Sequence, residues 1–241
     1  MGKRKGNDID RLLEEVQKGI EKTEPRSRAN MIRLYLCGAS EKLSQARFAL
    51  KMMSFFYIYK NNYIDPADDV KIEKKIYFCI DSFFIFLYSC FDILAQAVNQ
   101  KYQLGLTERE VNLKKVSSEL QRKNYNNKLS RHLQDLQKTR FFKSMEKYRH
   151  CAVHRRQIYI LEEVRRGTKG YNYSSTGPGE TITRYICDDP LVLKPQIKKK
   201  RELKIFCEKM IEDAEKHIRK IAKLIEGKEG NNESIRGKAC P

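Results

Sequence analysis

The chain has 241 residues and 40% hydrophobic content, enough to bury a substantial core as one large domain. Lysine and arginine outnumber aspartate and glutamate by 49 to 31, and the formal charge of +18 draws the protein toward polyanions such as nucleic acid or acidic lipid surfaces. Seven cysteines with no Cys-x-x-Cys spacing fit neither a disulfide framework nor a zinc knuckle, and reduced thiols in a cytoplasm are the simpler account.

Residues 8 to 22 read as a short amphipathic helix, with no apolar leader before it, and Pro25 marks a break. The segment 1–27 is therefore expected to be an N-terminal helix and linker. From Arg28 to Lys60 the pattern is helical, with Gly38 a candidate interruption and Ser40 a candidate cap. Asn61 to Pro66 reads as a turn, after which Asp68 opens the longest apolar helix, through Phe83, Leu87, Phe91 and Leu94. Its stretch Ile76 to Val98 is long enough to span a bilayer, but Asp81 and Asp92 inside it favour a buried core helix and no membrane.

Thr107 and Glu110 have capping-box spacing and predict a helix start. The Asn-rich stretch 124 to 127 separates that helix from the next, which is expected to run from 129 to 155. In it Phe141, Met145, Tyr148 and Ala152 recur at four, three and four, so this face packs inward. Beyond His154, residues 157 to 164 and 181 to 187 are rich in β-branched and aromatic residues, which predicts a two-stranded hairpin inserted at about 157–188. A last helix is expected over about 198 to 226, stopped by Gly227, and the tail 228–241 reads as disordered. The fold class is thus all-α: a helical bundle over 28–227 with an inserted β-hairpin.

The stretch that carries chemistry is Arg149-His150-Cys151-Ala152-Val153-His154. On a helix His150 and His154 share a face about 40° apart, whereas Arg149 stands about 140° from His154. A direct Arg–His site therefore needs more geometry: a long arginine side chain, a helix ending near Val153, or a second copy of the motif across a two-fold axis. An imidazole titrating near neutrality can take a proton from a ribose 2′-hydroxyl or return one to a leaving oxygen. A guanidinium fork can clamp the phosphate as charge builds on its oxygens.

Those residues resemble the HEPN superfamily, which carries an Arg-x4-6-His motif, commonly with Asn, Asp or His directly after the arginine. Arg149-His150-x3-His154 fits it. The all-helical setting, with the apolar helix Phe86 to Tyr102 ahead of the motif, resembles stand-alone bacterial HEPN proteins over most of the chain. The resemblance implies a homodimer with two motifs facing each other, cutting RNA without a metal or other cofactor and leaving a 2′,3′-cyclic phosphate. His154 would be general base or acid, Arg149 would hold the scissile phosphate, and His150 would position or share the proton. Toxin–antitoxin or phage-defence biology is implied too, with an antitoxin protein as a candidate partner. Some relatives carry a tyrosine two residues after the motif histidine that a nucleotidyltransferase modifies; here that place is Arg156, which speaks against such control.

Around the motif, Arg155, Arg156 and the run Lys194 to Arg201, with Lys198, Lys199 and Lys200 at its centre, are candidate phosphate contacts, although a basic run is as often a solvated face. Asp92 is a candidate partner for Arg149, and Tyr148 a supporting residue. His132 and His217 lie on charged helix faces and read as exposed bystanders. A metal bound by His150, His154 and a cysteine lacks a third ligand of recognisable spacing, and Cys151 stands where a metalloprotease has glutamate. The competing reading from another class is a catalytically inactive HEPN-like module that binds nucleic acid or a protein partner.

Overall fold

The computed structural model describes residues 8–62, 66–125, 127–154, 157–166, 180–191 and 201–227. Seven helices lie among them: α1 (Asp8–Thr23), α2 (Arg26–Asn62), α3 (Pro66–Tyr102), α4 (Leu113–Arg122), α5 (Asn127–Lys138), α6 (Arg140–Val153) and α7 (Leu203–Glu226), with strands β1 (Ile160–Arg166), β2 (Glu180–Ile186) and β3 (Arg201–Glu202) before α7. The helical bundle with a hairpin after the motif helix is therefore observed. The chain forms two compact units, 1–41 with 89–142 and 214–241, and 42–88 with 143–213. The expected tail lies outside the described residues.

In the first unit, α1 buries Ile9, Leu13, Val16 and Ile20, a stripe at helical spacing, with Asp8 and Asp10 in the first turn where the helix dipole favours anions. Gly38 does not interrupt α2; a methyl there would meet Ile93 Cγ2 of α3 at 3.5 Å. Ser40 is no cap either, because its hydroxyl donates to the Asp10 carboxylate. The Cys90 thiol donates to the Ala39 carbonyl at 3.1 Å, tying α3 to α2. Thr107 and Glu110 do bond as a capping pair, at 3.1 Å from the Thr107 N–H and 2.8 Å from its hydroxyl, but they close a turn. Helix α4 begins at Leu113, where Asn112 accepts from the Lys115 N–H at 2.9 Å.

The expected helix 129–155 is broken at Thr139. Its hydroxyl donates to the Leu136 carbonyl at 2.6 Å and accepts from the Phe142 N–H at 3.1 Å, ending α5 and capping α6 in one residue. His132 and His217 are not exposed: both are half-buried, with His217 Nδ1 and His132 Nε2 at 3.5 Å and His217 stacked on Phe141 at 5.7 Å.

In the second unit, β1 and β2 pair antiparallel with Ile160 opposite Ile186 and Leu161 opposite Tyr185. The sequence pointed to two strands; β3 adds a third, pairing Glu202 with Tyr185 and Arg201 with Ile186. Arg184 is buried from β2, with its guanidinium 3.9 Å from the Tyr57 ring centre and its Nε 2.7 Å from Glu162. This clamp fixes the sheet to the end of α2. One described helical stretch, Lys71–Tyr102, is long and apolar enough to cross a membrane, and half of its most apolar window is buried inside the protein.

Candidate active site

The candidate site lies at the C-terminal end of α6 in the second unit. The inward stripe expected there is largely present, since Phe141, Met145 and Tyr148 are buried. Ala152 is half-buried, and Cys151 takes the innermost place, its thiol 3.6 Å from the Pro190 carbonyl. Cys151 thus faces the interior while His150 and His154 face solvent, which removes it from a shared metal set with them. Among the described residues no group of three or more His, Cys, Asp or Glu could hold a metal ion.

Tyr148 anchors this end of the helix. Its ring stacks on Phe84 at 4.6 Å between centres, and its hydroxyl donates to the Cys187 carbonyl. Burial pushes this phenol well above the usual tyrosine range despite the nearby Arg201, so it remains a donor at physiological pH. Arg201 Nη2 donates to the Tyr148 hydroxyl at 3.3 Å and to the carbonyls of Cys187 and Asp188 at 3.0 and 3.1 Å. Burial also lifts the Cys187 thiol to about 11. The neighbouring turn is held by Lys147, whose ammonium bonds Asp189; burial opposes ionisation of that carboxyl, but Lys147 and the Leu191 N–H keep it below its ordinary range.

On this anchored end the structure brings His150 and His154 together, both exposed, with ring centres 4.1 Å apart. The His154 N–H still donates to the His150 carbonyl at 3.1 Å, so the helical path extends one residue beyond α6. Arg149 therefore keeps its separation of about 140° from His154. Its half-buried guanidinium lies over the Tyr88 ring, 5.1 Å from the centre. Such a cation–π seat orients the fork while leaving its N–H edges to bond an anion. Asp92 is half-buried on α3, one helical turn beyond Tyr88, and belongs to the first unit. Arg155, Arg156, Lys198, Lys199 and Lys200 lie outside the described residues.

Sequence reasoning missed Tyr88 and the particular role of Arg201. For Tyr88 the signal was its spacing of four from Phe84, which puts both aromatics on the face of α3 that meets Tyr148 and Arg149. Arg201 sits at the end of the basic run, where nothing in the sequence marks it out from the lysines before it.

Comparison with curated proteins and with solved structures gave no match. A family model described as Cthe2314-like HEPN matches residues 35–222, which takes in α6, the sheet and the greater part of both long helices. With well over half of its length matched, this chain belongs to the Cthe2314-like HEPN family.

Proposed function

We propose that this protein is a metal-independent endoribonuclease working as a homodimer in the cytoplasm. The family supports a nuclease or nucleotide-binding module as the broad class. The observation that carries the finer reading is the pair of exposed imidazoles 4.1 Å apart directly after an arginine seated on an aromatic ring. Two adjacent imidazoles suit a reaction that removes one proton and delivers another.

In the proposed reaction His154 accepts the proton of the ribose 2′-hydroxyl as its oxygen attacks phosphorus. The bond from phosphorus to the 5′-oxygen breaks, and that oxygen receives a proton from an imidazolium, leaving a 2′,3′-cyclic phosphate and a 5′-hydroxyl. His150 shares or positions the proton. Arg149 binds the phosphate oxygens as charge accumulates on them. Because Arg149 and His154 diverge around the helix, the reading requires a second copy, whose Arg149 serves the histidines of the first. Asp92 and Tyr148 support the site, and Arg155, Arg156 and Lys198 to Lys200 extend the phosphate contacts. A toxin or phage-defence role, with an antitoxin partner, accompanies this reading.

The test is cleavage of a labelled tRNA and an unstructured RNA in excess EDTA, comparing the native protein with His154→Ala and Arg149→Ala. Loss of a positioned proton-transfer group costs about 10²–10⁴-fold. Cleavage by the native protein, with both variants reduced to that extent but RNA affinity kept by His154→Ala, supports the enzyme. Failure of the native protein to cut either RNA, with or without divalent metal, transfers support to an inactive module that binds nucleic acid or a protein.

A further inference from the structure

Beyond the motif helix, the first unit holds an open cavity of about 320 Å³ lined by His132, Lys216, His217, Arg219, Lys220 and Lys223. Every described lining residue is basic. The volume is at the small end of the range for ligand sites, about 300–1,000 Å³. Lys216, Arg219, Lys220 and Lys223 stand at i, i+3, i+4 and i+7 of α7, so all four cations share one face within about 10 Å. Like charges at these spacings repel, and the C-terminal helix dipole relieves only the last turn, where Lys223 lies. Arg219 has Glu215 at 3.9 Å, and among the described residues neither Lys216 nor Lys223 has a carboxylate within ion-pair distance.

The two imidazoles sharpen the picture. An N–H···N contact between His217 Nδ1 and His132 Nε2, here 3.5 Å, needs one ring neutral as the acceptor. With an anion in the cavity each ring can turn an N–H toward it. A divalent metal fits poorly, because four cationic side chains line the same cavity as the pair and a third ligand is lacking among the described residues.

We infer that this cavity binds a compact ligand bearing adjacent phosphate groups, a di- or triphosphate. Lysine ammoniums are mobile point charges suited to phosphate oxygens, and half-buried His132, His217 and Arg219 supply fixed donors at the wall. A nucleic-acid strand spaces its phosphates along an extended groove, whereas here the charge converges on one small concavity.

The experiment is a calorimetric titration of the full chain with inorganic tripolyphosphate at about 0.15 M salt, where unspecific attraction is largely screened. Saturable one-to-one binding is expected. Lys220→Ala/Lys223→Ala, which removes two exposed charges, should weaken it roughly tenfold or more, as should His132→Ala. Lys204→Ala/Lys209→Ala removes the same charge from the same helix, at lysines already paired with Glu208, Glu212 and Asp213, and should change affinity less than about twofold. Absence of saturable binding, or equal weakening in both double variants, overturns the site. ATP and an oligonucleotide with a 5′-triphosphate then separate a free nucleotide from an RNA end, and binding of either with the same variant pattern upholds it. If a 5′-hydroxyl oligonucleotide binds as tightly and with the same pattern, the ligand is a strand backbone and the polyphosphate assignment fails. None of these readouts depends on the ribonuclease reading, and His154→Ala should leave tripolyphosphate affinity unchanged.

Discussion

Replacing Tyr148 by Phe and Arg201 by Met, singly and together, tests whether the anchor of the motif helix is cooperative. Tyr148→Phe keeps the stack on Phe84 and removes one hydrogen bond to the Cys187 carbonyl, which still receives Arg201 Nη2 at 3.0 Å. No carbonyl is orphaned, and the longer bond that the hydroxyl accepts from Arg201 Nη2 at 3.3 Å goes with it, so the cost is about 1–2 kcal/mol. Arg201→Met removes the guanidinium from the Asp188 carbonyl and carboxylate and from the Phe206 ring, whose centre it faces at 4.7 Å, about 2 kcal/mol in all. The double variant differs in kind. It leaves the fully buried Cys187 carbonyl without either donor, and an unsatisfied buried acceptor adds roughly 1–3 kcal/mol to the sum of the singles. Urea denaturation followed by far-UV circular dichroism reads this directly, the chain having no tryptophan. The expected result is a double variant at least about 1 kcal/mol worse than additive. Additivity within about 0.5 kcal/mol, or a neutral Tyr148→Phe, would refute the shared-acceptor arrangement.

Asp81 predicts a pH dependence. Burial alone pushes its carboxyl up to about 6, and one of its buried oxygens has no hydrogen-bond partner. With the folded value above the ordinary 3.8, the stabilising preference for the protonated form is full below pH 4 and is lost as pH rises through 6. The shift sets an upper limit of about 3 kcal/mol, and partial solvation reduces it to roughly 1 kcal/mol. Asp81→Asn should therefore match the native protein near pH 4 and exceed its stability by about that amount at pH 7.5; equal stability at both pH values would contradict the desolvation. The thiols should divide sharply under iodoacetamide at pH 8: Cys37 is exposed and reacts, while buried Cys79, Cys90, Cys151, Cys187 and Cys207 are protected until the chain unfolds, as peptide mapping would check. Two glycines should move stability in opposite directions. Gly227, at φ +85 after α7, has a left-handed backbone, so Gly227→Ala costs about 1 kcal/mol, or roughly 2–4 °C in Tm. Gly19 is inside α1, and a methyl there meets the movable end of the Glu226 side chain, so Gly19→Ala should gain about 0.5 kcal/mol in helix propensity.

What the sequence made legible was local. The stripes of α1 and α6, the Gly227 stop and the β-branched runs of the hairpin each state their structure within a few residues, and each is present. The misreadings have a common physical origin in groups with two competing uses. Thr139 reads as an ordinary helix residue because its hydroxyl cost appears only when it bonds the Leu136 carbonyl and the Phe142 N–H together. Thr107 and Glu110 form the bonds of a capping box without a helix to cap. Arg201 is a third case. A run of cations has one signature in sequence, yet β3 holds Arg201 where its guanidinium donates to two backbone carbonyls. His132 and His217, 85 residues apart, show the same limit in the opposite sense: each looks like a lone solvated histidine, and only the meeting of α5 and α7 makes them a pair facing a basic cavity. Charge counted along a chain therefore measures attraction to polyanions but cannot say where an anion would bind; here four cations on one face of α7 line a cavity only because α5 brings His132 against His217 beside them.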